Sequence, residues 1–415
     1  MSTRIENVSI LDGTGADPFA GAVLIEGDSI TKVEKNGNSS TLTAETVIDG
    51  QGMTLMPGLI DAHLHLSWSN QATLEEIALM PPEEHTLVCA QSAKTVLDMG
   101  FTSGVGAAAA KPRLDVVMKN AIAAGDIPGP RYLAASQEIA TKGGLGDTSP
   151  VHIDIQDLSF GWVISGPEEM RAAVRMFFKY GVDIIKINLS GEYIAGVDAE
   201  EEVISEEELA AGAAEVHRRK RMMAAHARSA KSVQLCLQYG IRHIYHASFI
   251  DEETIDMLER SNEEFFVAPG LAWLIQTARG AQDWGILPGS PLAEQYEQEL
   301  ACAIEGMKEL YRRGIPVLPG GDYGFAWTPH GTNAKDLQYF VEMLGMSPMD
   351  AIVSATKHGG RIMRMGDRLG TVTPGYLADL LLVDGDPLAD ISVLQEQSKL
   401  AMIMKDGRTH RLTVH

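Results

Sequence analysis

The chain has 415 residues, of which 45% are hydrophobic and 22% charged, a composition typical of a globular enzyme with a large buried core. Its formal net charge of −22 argues against nucleic acid or an anionic membrane surface as a partner. No stretch approaches the roughly 18 apolar residues of a membrane span, and the first residues lack the apolar run of a secretory signal. We therefore expect a soluble, cytoplasmic protein. Cys89, Cys236 and Cys302 are widely spaced with no CxxC pair, which predicts buried thiols.

Both ends of the chain predict short strands and turns. Residues 1–55 contain runs such as ENVSILDG and TVIDGQG, and residues 369–415 return to this pattern with YLADLLLVDGDP and AMIMKDGRTHRL. Because two β-rich ends bracket a long middle, we expect one small composite β-sandwich domain built from both termini. Residues 56–368 then form the main domain.

The middle of the chain alternates between apolar, strand-like runs and helical segments. Several helical segments end at a glycine, namely Gly181, Gly240 and Gly314, as helix C-termini often do. Ser205, with Glu208 three residues later, predicts a capping box at a helix start. The eight strand candidates are TLMPGLIDAHLHL, FTSGVGA, RYLAAS, DIIKIN, RMMAAHA, IRHIYHA, FFVAPGLA and IPVLPGGDYG. Eight strand–helix units predict a (β/α)8 TIM barrel, an α/β fold whose active site lies at the carboxyl ends of the strands.

Side chains of metal-ligand type lie at the ends of these runs. The candidates are His63, His65, Lys186, His226, His246 and Asp322. His63 and His65 are two residues apart on one strand, so they point to the same face. A catalytic divalent metal needs convergent neutral or anionic ligands and an open position for water, which imidazoles and a carboxylate provide. His243 lies three residues before His246 and faces the other way, so we expect His246, nearer the strand end, to be the ligand.

Lys186 is the unusual member of this set. A protonated lysine would repel a metal, and its charge is costly to bury in the apolar run DIIKIN. Burial could deprotonate the amine. Alternatively, CO2 could convert the amine to an anionic carbamate that bridges two metals, and the position at the end of the fourth strand favours this second interpretation.

Three motifs resemble those of the amidohydrolase superfamily. MPGLIDAHLHL at 56–66 is similar to its opening motif, SPMDAIVSAT at 347–356 to a late helix, and GYLADLLLVDGDPLADI at 375–391 to its closing strand pair. The resemblance covers essentially the whole chain and is closest to the cluster of prolidase-like and imidazolonepropionase-like enzymes with the phenylurea and molinate hydrolases. It implies two divalent metal ions bridged by carboxylated Lys186, with zinc favoured and manganese, iron or cobalt as alternatives.

The resemblance also implies roles for the individual ligands. His63, His65 and Asp322 would hold one ion, and His226 and His246 the other. The implied reaction is hydrolysis of an amide-type C–N bond in a small molecule by a metal-bridging hydroxide, with Asp322 as general acid and base. The substrate would be an N-acyl amino acid or dipeptide, or an aryl amide, urea or carbamate. We expect a homo-oligomer.

Two alternative functions stay open at this point. The same ligands can hold redox-active manganese or iron, so an oxygenase that hydroxylates its substrate is possible on this scaffold. The chain could also be an inactive paralogue that pairs with an active partner, although its complete ligand set argues against this.

Candidate substrate contacts surround the ligands. Many prolidase-like relatives carry GGHGD where this chain has GGLGD at 143–147, so Leu145 removes an imidazole that could contact substrate. Arg228, beside His226 in AHARS, could bind a substrate carboxylate or oxyanion, or could form a salt bridge. Further candidates, for which packing or loop stabilisation is the alternative, are Tyr193, Tyr245 and His330. The five tryptophans lie mostly on loops after strands and suggest either an aromatic pocket or a packed lid.

Overall fold

The structure is a computed structural model that describes residues 2–35, 43–153 and 155–414. Its strands, in chain order, are β1 (Ser2–Ile10), β2 (Phe19–Glu26), β3 (Ser29–Lys35), β4 (Thr46–Asp49), β5 (Thr54–Pro57), β6 (Leu59–Leu64), β7 (Phe101–Gly106), β8 (Arg131–Leu133), β9 (Ala135–Thr141), β10 (Trp162–Ile164), β11 (Ile184–Asn188), β12 (Met222–Ser229), β13 (His243–Phe249), β14 (Phe266–Ala268), β15 (Leu380–Val383), β16 (Leu400–Lys405) and β17 (Arg408–Leu412). Its α-helices are α1 (Leu74–Leu79), α2 (Pro82–Asp98), α3 (Leu114–Ala124), α4 (Pro167–Tyr180), α5 (Glu206–Arg218), α6 (Ala230–Gln238), α7 (Glu252–Arg260), α8 (Leu271–Arg279), α9 (Pro291–Arg312), α10 (Lys335–Leu344), α11 (Pro348–Val353) and α12 (Gly359–Ile362).

Strands from the two ends of the chain share one sheet. The strand order is β17-β16-β15-β5-β1-β2-β3, with β4 paired to β1. The two termini meet where β15 runs antiparallel to β5, with Leu380 opposite Pro57. Ile10, Leu55 and Met402 are fully buried in an apolar cluster that belongs to this sheet. The N- and C-terminal segments therefore bury a common core.

The middle of the chain forms parallel sheets flanked by helices. One contains β6-β7-β8 and the other β10-β9-β11-β12-β13-β14. The chain passes from the first sheet to the second through Ala134, between β8 and β9. Residues 315–319 bond to the outer strands of both sheets, because Leu318 N donates to Val267 O at 2.8 Å and Ala62 N donates to Pro319 O at 2.9 Å. The predicted α/β class with parallel strands is confirmed.

Local signals in the sequence also hold. Ser205 Oγ accepts a hydrogen bond from Glu208 N at 3.3 Å, and the Glu208 carboxylate accepts one from Ser205 N at 2.9 Å, which completes the capping box of α5. Helix α4 ends at Gly181 in the left-handed conformation, with φ of 100°. The prediction of three buried thiols is wrong for Cys302, which is exposed on α9, whereas Cys89 and Cys236 are buried. Within the described ranges, none of the helices combines the length and the apolar character needed to cross a membrane.

Candidate metal centre

Parallel strands bring all six predicted ligands to one buried cavity. Asn188 at the end of β11 is in register with His226 on β12, and Ala227 is in register with His246 on β13. Such a register aligns the carboxyl ends of neighbouring strands. The ligand candidates that line the cavity are His63, His65, Lys186, His226, His246 and Asp322. Side chains remote in sequence therefore share one small volume at the strand ends.

Asp322 lies at the centre of the imidazoles. Its Oδ1 is 3.1 Å from His65 Nε2 and 3.5 Å from His63 Nε2, and its Oδ2 is 3.9 Å from His246 Nε2. His63, His246 and Asp322 each offer a ligand atom within 4.8 Å of the others. The ring centroids of His226 and His246 are 4.4 Å apart, so His226 lies directly beside this group of three residues.

The contact between His65 and Asp322 fits a bound cation. His65 Nδ1 lies 3.1 Å from the carbonyl oxygen of Ala108, an acceptor, so Nδ1 carries the proton and Nε2 presents its lone pair. Neither His65 Nε2 nor Asp322 Oδ1 has a hydrogen-bond partner among the described residues. Two acceptors that face each other in a buried site repel unless a positive charge lies between them. The arrangement therefore suits a metal ion.

Burial sets the protonation states that a metal site needs. It lowers the pKa of His63, His65, His226 and His246, so the imidazoles are neutral at pH 7. For Asp322, burial acts to raise the pKa, but positive charge nearby, on His63 and His65 when these are protonated at low pH and on Arg228, brings it below its usual range. Neutral imidazoles and an ionised carboxylate are competent ligands.

Lys186 is buried in the same cavity as the imidazoles, and its amine lies next to two polar side chains. Its side chain is only 3% exposed, and Nζ donates to Asn188 Oδ1 at 3.3 Å and lies 4.0 Å from Glu138 Oε2. Burial lowers the pKa of this amine, although Glu138 and Asp322 partly oppose the shift. A lowered pKa increases the neutral fraction of the amine, which is the form that reacts with CO2.

The backbone at the site adopts conformations that side-chain-bearing residues rarely take. φ is 63° at Asp322, 80° at His246 and 53° at Ala247. Glycine at 320 is required by close packing, since a Cβ there would lie 2.6 Å from Cβ of His63. Gly320 therefore allows the backbone to approach β6 closely, and the unusual φ values occur at predicted ligands and the residue beside one of them.

Two buried carboxylates that sequence reasoning missed support this geometry. Asp61 accepts hydrogen bonds from His63 N at 2.9 Å and from Asn333 Nδ2 at 2.9 Å. Asp336 accepts one from Gly320 N at 2.8 Å. Asp61 could have been noticed, because it lies two residues before His63 in an alternating strand. Asp336 carried no such signal, because its role depends on how α10 packs against residue 320.

Arg228 lies in the protein interior with partners of its own. The side chain is 0% exposed, and its guanidinium forms ion pairs with Glu192 and Glu299. Tyr296 donates to the other oxygen of Glu192. Arg228 Nε is 3.3 Å from His226 Nε2, yet the guanidinium is not among the groups that line the cavity. The structure thus places Arg228 in a salt-bridge cluster behind the predicted ligands.

The other predicted substrate contacts also lie outside the cavity lining. Tyr245 is buried and stacks on His63 with 3.9 Å between ring centroids. Tyr193 packs against Tyr296 at 5.8 Å. His330 Nε2 is 2.9 Å from the carbonyl oxygen of Trp68, which holds the loop after β6. These positions correspond to the packing and loop-stabilising alternatives. His243 is buried on β13 but lies outside the cavity, and only His246 enters it.

The rest of the lining is apolar with two acids. Trp68 stacks on His65 at 3.5 Å between centroids, and Trp273 packs against Trp327 at 5.5 Å. Trp284, by contrast, is 42% exposed, so only some tryptophans contribute to the cavity. The apolar lining comprises Trp68, Leu74, Leu145, Ile194, Trp273 and Phe325. The acids, which sequence reasoning did not select, are Glu138 and Glu192.

Comparison with known proteins assigns the family. The sequence pattern of the amidohydrolase family matches residues 54–410, which include all six ligand candidates. The chain belongs to the amidohydrolase family. The predicted family is therefore confirmed.

Individual amidohydrolases resemble the chain along almost its full length. Ochratoxinase from Aspergillus niger is 26% identical over 437 aligned residues, which cover 96% of this chain and 84% of that enzyme. The crystal structure of a Xaa-Pro dipeptidase with bound methionine in its active site superposes with a TM-score of 0.87 at 27% identity, covering 99% of this chain and 100% of the dipeptidase. Molinate hydrolase shares the fold, with a TM-score of 0.78 at 23% identity over 98% and 94% of the two chains. The protein is a hydrolase that acts on C–N bonds.

Proposed function

We propose that this amidohydrolase uses two divalent metal ions, zinc being favoured, to hydrolyse an amide-type C–N bond in a small molecule. The observation that carries the proposal is the convergence of six buried ligand-type side chains on one cavity, with two acceptors facing each other across it. We also propose that the parallel strands close into an eight-stranded barrel through residues 315–319, because these residues bond to both sheets.

The ligand set divides in the way that the family resemblance implies. His63, His65 and Asp322 would hold one ion, His226 and His246 the other, and carboxylated Lys186 both. Bound divalent ions supply a water of lowered pKa and polarise a carbonyl oxygen. The buried amine of Lys186 supports carboxylation, because desolvation favours its neutral form.

Asp322 manages the proton in this reaction. Its carboxylate is ionised, since its pKa is held below the usual range, and it is central among the ligands. It can therefore accept a proton from the attacking water and deliver it to the leaving nitrogen. The tryptophan and phenylalanine side chains at the cavity limit the access of bulk water, which strengthens these electrostatic interactions.

The substrate belongs to the amides in a broad sense. A Xaa-Pro dipeptidase and molinate hydrolase are both structural neighbours, which supports N-acyl amino acids and dipeptides on one side and aryl amides, ureas and carbamates on the other. We further propose a cytoplasmic homo-oligomer. These assignments guide the choice of compounds for assay.

A panel assay tests the function. Protein stripped of metal with a chelator, and the same protein reloaded with zinc, manganese, iron or cobalt, is incubated with dipeptides, N-acyl amino acids, aryl amides and aryl ureas. We expect hydrolysis that returns on reloading, highest with zinc. Turnover that requires iron and consumes O2 would instead establish the oxygenase, and full activity of the stripped protein would refute the proposal.

A further inference from the structure

A second cleft lies at the amino ends of the parallel strands whose carboxyl ends carry the predicted ligands. Met222 and His243, the first residues of β12 and β13, line this cleft, whereas His226 and His246 further along the same strands line the metal cavity. Its volume of about 1040 Å³ is sufficient for a small molecule. We call it the basic cleft and define it by Lys220, Arg221, Arg242, His243, Glu263 and Arg364.

The basic cleft carries positive charge that acids of the chain do not balance. Lys220, Arg221 and Arg364 form no ion pair with an acid in the described part of the chain. The carboxylate of Glu263, an acid of the lining, is already bound by Arg242, whose Nε and Nη2 lie 3.1 Å and 3.0 Å from Glu263 Oε2. Three cations therefore stay uncompensated there, although the chain as a whole has a formal net charge of −22.

The two sides of the cleft hold these cations close together. Arg364 Nη1 donates to the carbonyl oxygen of Lys220 at 3.3 Å, so the segment after α12 meets the segment after α5. Partial burial lowers the pKa of Arg364, and the nearby charge of Arg242 lowers it further. Like charges that the fold holds together repel each other, and a bound anion would remove this repulsion.

His243 provides an observation that is independent of these charges. Basic residues after a helix often do no more than complement its dipole, so the cations alone do not define a site. His243 is only 3% exposed, it lines the cleft, and its Nδ1 has no hydrogen-bond partner among the described residues. Burial, together with the charges of Arg364 and Arg242, lowers the pKa of His243 to about 3, so the ring is neutral at pH 7. A neutral imidazole keeps one N–H donor, and a buried polar group without a partner favours a ligand that completes its hydrogen bonds.

The donors of the cleft suit a phosphate group better than a carboxylate. Guanidinium groups bind phosphate oxygens through two parallel hydrogen bonds, and the donors here come from three separate segments, at Arg221, His243 and Arg364. A terminal phosphate offers three oxygens to such donors, whereas a carboxylate offers two. The remaining lining includes the apolar side chains of Met223, Leu237 and Phe265, so there is also room for a small apolar group.

We propose that the basic cleft is a binding site for a phosphate monoester with a small apolar body, separate from the metal centre. Arg221, Arg364 and Lys220 bind the phosphate, His243 donates a hydrogen bond to it, and the body packs on the apolar part of the lining. This site does not depend on the proposed function, because none of its residues lines the metal cavity.

Isothermal titration calorimetry of the purified, metal-containing protein at pH 8 tests the proposal. The probes are phenylphosphonate, which has three terminal oxygens and cannot be hydrolysed to phosphate and phenol, inorganic phosphate, which lacks the apolar body, and benzoate, which replaces the phosphonate by a carboxylate. We expect phenylphosphonate to bind at least about 10-fold more tightly than either of the other two, the factor that loss of one charged hydrogen bond gives. No binding of phenylphosphonate, or equal affinity for benzoate, would overturn the proposal.

Variants locate the binding event, because phosphonates also coordinate metal ions. We expect Arg364→Gln and Arg221→Gln, both at exposed positions, to weaken phenylphosphonate binding by roughly 10-fold each. Arg113→Gln removes the same charge from an exposed position outside the cleft and should keep the wild-type affinity. His246→Ala, which changes a predicted metal ligand, should keep it as well.

Three results would contradict the proposal. Binding that is lost in His246→Ala but unchanged in both arginine variants would place the phosphonate at the metal centre. An equal fall in Arg113→Gln would show general attraction by surface charge. A change of oligomeric state in Arg364→Gln, measured by light scattering, together with no phosphonate binding by the wild type, would make the cleft an interface between copies of the chain. Should one arginine variant not fold, the other variant and the order of the three probes on the wild type decide the question.

Discussion

His65 Nε2 and Asp322 Oδ1 lie 3.1 Å apart, and neither atom has a hydrogen-bond partner among the described residues. The proton of His65 is on the opposite nitrogen, which donates to the carbonyl of Ala108. The segment that follows β6 and the loop that carries Asp322 thus place two acceptors against each other. A cation between the two atoms would stabilise this arrangement, which is why it supports the proposed metal site.

Asp322→Asn should leave the fold intact and lower kcat by roughly 10²- to 10⁴-fold, the usual contribution of a general acid and base. The amide cannot accept the proton of the attacking water. Rates are measured on the amide that the panel identifies, and circular dichroism checks the fold. Asp283→Asn, an exposed aspartate on the surface, is the control. Activity close to wild type in Asp322→Asn would exclude this residue from proton transfer.

Lys186→Ala should lose bound metal and activity, because the proposed bridging carbamate could not form. Added short carboxylic acids such as acetate or propionate should restore part of both, since their carboxylate can occupy the vacated volume. The exposed Lys308→Ala serves as the control. Full metal occupancy in Lys186→Ala, with no effect of added acid, would count against carboxylation.

Gly320→Ala should weaken metal binding although no ligand is replaced. The new methyl group would lie 2.6 Å from Cβ of His63 and 2.9 Å from its backbone N, so strand β6 must shift. Loss of the groups that support a metal ligand typically reduces metal affinity by about 10- to 100-fold. We expect a loss of this order when the strand that carries His63 is shifted. Competition with a chromophoric chelator measures the affinity. Unchanged affinity would show that the position of His63 does not depend on this glycine.

Ser205→Ala should lower the free energy of unfolding by about 1 kcal/mol without changing kcat, because it removes the cap of α5, a helix that does not line the cavity. Urea denaturation gives the stability, and Ser205→Asp is the conservative control, expected to retain most of it. A change in kcat at constant metal content would mean that α5 is coupled to the site.

The sequence predicted which side chains share the cavity better than it predicted what surrounds them. Period-two alternation and strand-end position selected His63, His65 and His246 correctly as cavity residues, since these signals are local. The surroundings of Arg228 could not be predicted, because its partners Glu192 and Glu299 come from distant segments whose carboxylates meet only in the folded chain. Glu138 was missed for a similar reason: an acid within the segment SQEIAT is informative only once Lys186 is known to lie beside it.

The length of the predicted strands was less accurate. The single run RYLAAS contains all of β8 and the start of β9, and these two strands belong to different sheets. In addition, β10 was not among the strands predicted from apolar runs. Strand breaks of this kind depend on hydrogen bonding between neighbours. Sequence periodicity reports which face a residue occupies but not which partner it pairs with.

Elemental analysis of the purified protein by inductively coupled plasma mass spectrometry tests the central claim most directly. We predict two divalent ions per chain in the wild type and fewer in His246→Ala. His243→Ala, on the same strand but outside the cavity, should keep both ions. Full hydrolytic activity in protein that contains no metal, or equal loss of metal from both histidine variants, would contradict the account.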